Sequence, residues 1–102
     1  MTKIAAVILA GNARDAEREA RAALSRGADL AELRFDHMDH VGPEVVRSLS
    51  AAVGSRSIAT LRSPAQGGRR PPASNRGDLM KEIAAQRFAY LDIELEADGD
   101  RA

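Results

Sequence analysis

The sequence predicts an α/β fold on a parallel sheet: the first four units, or half, of an eight-stranded (β/α)8 barrel. Two observations carry this reading. Four short runs rich in aliphatic residues, at 3–9, 28–36, 57–62 and 89–96, alternate with amphipathic helical stretches. The order β-α-β-α-β-α-β then implies parallel strands joined by right-handed crossover helices. A complete barrel takes roughly 250 residues, and these 102 reach the fourth strand. Residues 1–97 are expected to form one half-barrel domain, with 98–102 as a frayed tail.

Each element has a local reason. "KIAAVIL", residues 3–9, is a short apolar run ended by Ala10-Gly11-Asn12, which suits a strand buried on both faces. Residues 14–26 place Ala16, Ala20, Ala23 and Leu24 at helical spacing with charges opposite, and Gly27 supplies the stop. "ADLAELRFD" reads as strand two. Pro43 opens a second helix through about Val53, with Val45, Val46, Leu49 and Ala52 as its buried stripe and Gly54 as its stop. "SIATLR" is strand three. A loop rich in Gly, Pro and Arg leads to a third helix, about Asp78 to Arg87, and "AYLDIELE" is strand four.

Composition narrows the function classes. Fifteen basic and fifteen acidic residues cancel, so no overall field recruits nucleic acid or an anionic membrane. The absence of cysteine excludes disulfides and thiolate chemistry and fits a reducing cytoplasm. The first apolar run is too short to span a bilayer and lacks a signal-peptide layout, so the chain reads as soluble and cytoplasmic.

The informative feature is charge inside the strands. Strand side chains alternate faces, so Ala31, Leu33 and Phe35 point toward the helices while Leu30, Glu32, Arg34 and Asp36 point to the other face. The same alternation groups Ile58, Thr60 and Arg62 in strand three, and Asp92 and Glu94 in strand four, with Leu91, Ile93 and Leu95 packing outward. An isolated buried charge costs several kcal/mol, so inward charges persist only when paired, solvated or ligand-bound. These lie late in their strands, where parallel α/β architectures bind ligands. A polar ligand site and a structural salt-bridge network on an open sheet both remain open.

Other motifs say less. "QGGRRPP" has neither a P-loop nor a dinucleotide fingerprint; it reads as a basic solvated loop, or as a mouth loop in which Arg69 and Arg70 meet an anion. His37 and His40 are three apart after strand two and lack a third ligand, so solvated loop histidines are preferred to a metal site. Nucleic-acid binding through Arg69, Arg70 and Arg76 lacks interleaved aromatics. Both lysines are badly placed for imine chemistry, Lys3 at the bottom of the sheet and Lys81 on an exposed helix face.

"GADLAELRFDHMD", "SIATLRSPAQGG" and "AYLDIELE", in this order and at these separations, resemble the first half of the type I 3-dehydroquinate dehydratase family, TIM-barrel enzymes of the shikimate pathway to aromatic amino acids. The resemblance covers nearly the whole chain. It implies a lyase reaction in which 3-dehydroquinate forms an imine with a lysine, a histidine acts as general acid and base, and syn loss of water gives 3-dehydroshikimate. It implies no metal and no organic cofactor. The family's E-x-R motif falls on Glu32 and Arg34, and the arginine of its T-x-R motif on Arg62, all substrate-site residues by resemblance.

Departures accompany the match. Gln66 stands where the family has a glutamate that supports the catalytic histidine, and an amide cannot carry that negative charge. A serine often found in the family's strand one falls near Ile8. The family's lysine and general-base histidine belong to the second half of the barrel, and His37 corresponds to a different, strand-two histidine. The expectation is an incomplete half-barrel, inactive alone, that binds a small 3-dehydroquinate-like substrate and associates as a homo-oligomer or with a complementary half-barrel. The alternative is a non-catalytic, degenerate half-barrel that binds a polyhydroxy carboxylate or a protein partner.

Overall fold

Residue choice at the element ends sets the frame. In the computed structural model, which describes residues 3–39, 41–62 and 76–93, the first apolar run forms β1, Ala5–Ile8. Asn12 then caps α1, Ala13–Ser25: its Oδ1 accepts the Asp15 backbone N–H at 2.8 Å while its Nδ2 donates to the Asp15 carboxylate at 3.1 Å. Asn12→Ala is expected to cost about 1 kcal/mol of unfolding free energy, read from the urea midpoint at unchanged slope.

Helix α1 ends as its glycine predicts. Gly27 has φ of 115°, and Gly27 and Ala28 donate back to the carbonyls of Leu24 and Ala23. This pair of bonds satisfies the last turn and needs a left-handed residue at Gly27. Strand β2, Leu30–Arg34, follows and passes into a 3-10 turn, Phe35–His37.

Helix α2 spans Pro43–Val53, with Pro43 in the first turn where a missing N–H costs nothing. Its buried residues are Val46, Leu49 and Val53, with Val45 and Ala52 only partly covered. Gly54 does not stop the helix through a left-handed conformation; it is right-handed helical and begins a 3-10 turn, Gly54–Arg56. Its need for glycine is a close approach, because a Cβ there would lie 3.1 Å from the Arg87 carbonyl oxygen. Strand β3, Ser57–Leu61, helix α3, Arg76–Ala85, and strand β4, Tyr90–Ile93, complete the described chain.

The four strands pair in parallel in the order β1-β2-β3-β4. The core fills the space between the sheet and its helices. Ala31, Leu33, Phe35, Ala59 and Leu61 meet Ala16 and Ala20 of α1, Val46 and Leu49 of α2, and Leu79 and Ile83 of α3. Alanines at the contact let α1 lie close to the sheet, so a chain with three aromatics still fills its core.

No helix covers the opposite face of the sheet among the described residues, and one expectation falls there. Strand β1 is not buried on both faces: Ile8 is covered, but Val7 and Leu9 are each 52% exposed. Leu91 belongs to the helix-side face of β4 and is 49% exposed rather than packed. No helix among the described residues is long and apolar enough to cross a membrane. Glu94, Leu95 and the 98–102 tail lie outside the described residues.

Candidate functional site

Register converts the strand alternation into one polar surface. Arg34 of β2 pairs with Thr60 of β3, which pairs with Asp92 of β4; one step lower, Glu32, Ile58 and Tyr90 lie side by side. Because side chains in register share a face, Glu32, Arg34, Thr60 and Asp92 all stand on the uncovered side of the sheet. Arg62, one residue past β3 and two past Thr60, brings its Nη2 to 3.8 Å from Asp92 Oδ2. The three site residues read from the sequence, Glu32, Arg34 and Arg62, therefore gather on one face.

The gathered residues differ in how firmly they are held. Arg34 donates from Nε and Nη2 to the two oxygens of Asp36 at 3.0 and 2.7 Å, a bidentate fork in which Arg34 is 13% exposed and Asp36 fully buried. The hydrogen bonds that Arg34 donates to Asp36 raise its pKa above the ordinary value, and the negative charges of Asp36, Glu32 and Asp92 add to this against the opposing effect of burial. Arg34 is thus a fixed cation. Glu32 is held by the Thr60 hydroxyl, which donates to its Oε2 at 2.8 Å. The Arg62 and Asp92 side chains, 38% and 47% exposed, meet in a longer and more solvated contact.

Spacing places Asp36 and Thr60 on this face but gives neither a role. The structure makes Asp36 the anchor of Arg34, and Thr60 the anchor of Glu32. The signal for Asp36 was an opposite charge two residues from Arg34; for Thr60 it was a hydroxyl in an otherwise apolar strand. His37, expected to be a solvated loop residue, lies instead in the 3-10 turn, partly covered, with Nε2 3.8 Å from Asp36 Oδ2. His40, Gln66, Arg69 and Arg70 lie outside the described residues. Lys3 precedes β1 at the N-terminal end of the sheet and Lys81 lies on α3, both exposed.

Chemically, the face offers cationic donors from Arg34 and Arg62 and anionic acceptors from Glu32 and Asp92. Such a set suits a ligand carrying both a carboxylate and hydroxyl groups. No group of three or more His, Asp or Glu side chains among the described residues could hold a metal ion. A groove of about 550 Å³ lies away from this face, lined by Ala13, Arg14, Glu17, Arg18 and Arg21 of α1 and Ser48 of α2. It is a solvated seam between helix surfaces, separate from the charged face.

Fold and site together define a parallel α/β protein that sets opposed charges at the C-terminal ends of its strands. The chain belongs to the type I 3-dehydroquinase family, whose model matches residues 4–102. It is 31% identical over 96 residues to the 3-dehydroquinate dehydratase of Methanothermobacter thermautotrophicus, covering 94% of this chain and 43% of that protein. It is 39% identical over 97 residues to that of Methanothrix thermoacetophila, covering 90% and 40%. For the Aquifex aeolicus 3-dehydroquinate dehydratase the figures are 36% over 80 residues, 76% and 35%. The chain thus spans well under half the length of these curated relatives.

Proposed function

We propose that these residues supply the strand-two and strand-three side of a 3-dehydroquinate site, in a shikimate-pathway lyase that dehydrates 3-dehydroquinate to 3-dehydroshikimate. The observation that carries the proposal is the register-aligned set of Glu32, Arg34 and Arg62 on the uncovered face. In this reading the arginines bind and orient the polyhydroxy carboxylate, and Glu32 accepts from a substrate hydroxyl. The imine-forming lysine and the general-base histidine come from β/α units beyond these residues, in the same polypeptide or in a partner. Support comes from the two lysines in the sequence, which are exposed and stand off the charged face.

The uncovered face is closed, in this proposal, by further β/α units of one polypeptide, by a complementary half-barrel, or by a second copy of the chain. The setting proposed is cytoplasmic, in keeping with a sequence without cysteine. Gln66 at the family's glutamate position favours a second reading, a non-catalytic relative that binds the same class of ligand. The two readings part when a complementary half is added: the first gains turnover and the second does not.

The test is a dehydratase assay on the 102-residue chain, following the conjugated enone of the product in the ultraviolet, with borohydride trapping and intact mass. The expected result is no turnover and no trapped adduct, together with binding of 3-dehydroquinate that Arg62→Ala weakens by about tenfold or more. Turnover with an adduct on Lys3 or Lys81 would overturn the placement of the covalent machinery.

A further inference from the structure

Valine would be the ordinary choice at position 60. The residue is fully buried near the C-terminal end of β3, between apolar Ala59 and Leu61. Valine has the same shape as threonine and suits a strand at least as well, whereas a buried hydroxyl is unfavourable unless it is hydrogen-bonded. Thr60 satisfies that need across the strand, donating to Glu32 Oε2 at 2.8 Å. Its register partners on either side are Arg34 and Asp92, so it sits at the centre of the charged face.

We propose that Thr60 is a positioning residue that fixes the Glu32 carboxylate so that its second oxygen, Oε1, faces the site as an acceptor for a ligand hydroxyl. This rests on the reading of Glu32 as a ligand-facing residue. The hydroxyl engages one carboxylate oxygen, which limits rotation of the group and leaves the lone pairs of Oε1 uncommitted among the described residues. An unheld glutamate would sample several rotamers and lose affinity in ordering one of them. Thr60 touches no ligand in this scheme; it acts through Glu32.

Two measurements on the full chain separate the inference from the functional reading. The first is ligand-independent: the Glu32 13Cδ resonance at neutral pH, assigned by its loss in Glu32→Gln. Thr60→Val is expected to shift it and Thr60→Ser to restore it. The second is the affinity for 3-dehydroquinate, which Thr60→Val is expected to weaken about tenfold and Thr60→Ser to recover to within about twofold, since serine returns the donor. A merely structural role would not be rescued by serine, which leaves a methyl-sized gap. An unchanged 13Cδ resonance in Thr60→Val overturns the inference, as does unchanged affinity where the parent chain binds. If the parent chain fails to bind 3-dehydroquinate, the functional reading falls and the resonance alone decides whether Thr60 holds Glu32.

Discussion

Asp36→Ala is expected to lower the unfolding free energy by about 3 kcal/mol, because it leaves the guanidinium of Arg34 largely desolvated without its bidentate partner. The measurement is a urea titration read by the midpoint at constant slope, with Arg34→Met/Asp36→Leu as the control. The double variant removes both charges and is expected to recover much of the loss, since apolar groups of similar volume replace a buried pair at little cost. A double variant as unstable as the single one would locate the cost in packing instead. The pH dependence has a definite sign. A cation whose folded pKa is raised contributes stability that is complete below its unfolded pKa and is lost as pH rises through the folded one. For an arginine both values are strongly basic, so Arg34 contributes no alkaline loss of stability across the neutral and mildly basic range. Under the proposed function, the same variant would also weaken 3-dehydroquinate binding, by releasing Arg34 from its fixed position.

Phe35→Ala is expected to cost about 3–5 kcal/mol, enough to unfold a large share of the molecules in a domain of this size. Phe35 is fully buried at the start of the 3-10 turn after β2 and packs edge-to-face with Phe88, with ring centroids 5.9 Å apart and planes at 73°. Alanine removes the ring from the largest fully buried side chain in the described structure and leaves a void beneath the 3-10 turn that carries Asp36. Thermal melts followed by far-ultraviolet circular dichroism would report the loss. Phe35→Leu, which refills much of the void, is expected to cost less than half as much. Equal losses in the two variants would implicate the aromatic pair rather than the volume.

What the sequence made legible follows from where its punctuation is strong. Pro43 and the apolar stripe behind it place α2, and the alternation in "AELRFD" separates the helix-facing Leu33 and Phe35 from Glu32 and Arg34. Strand β1 was harder. A continuous apolar run reads the same whether its second face is covered within the domain or left for something else, so the exposure of Val7 and Leu9 has no sequence signature. The Arg34–Asp36 fork depends on where β2 ends. Because the chain turns into a 3-10 segment directly after Arg34, Asp36 comes within reach of the guanidinium, and strand alternation alone cannot say so. Gly54 teaches a related point: a glycine after a helix looks like a stop, but its reason lies with Arg87, 33 residues later in the sequence.

The sheet order has a bearing on how the protein assembles. Each strand lies beside the next strand to emerge in the chain, from β1 through to β4, with a parallel pairing closed over one crossover each time. Among the described residues, every strand pairing joins neighbours in the chain. The hydrogen bonds that tie Ile4 to the start of β2, the backbone N–H groups of Asp29 and Leu30 donating to the Ile4 carbonyl and the Ile4 N–H donating to the Asp29 carboxylate, can close once residues 29 and 30 have left the ribosome. Loop-closure entropy stays modest at each step, and the ladder can grow in the order of synthesis, one crossover at a time.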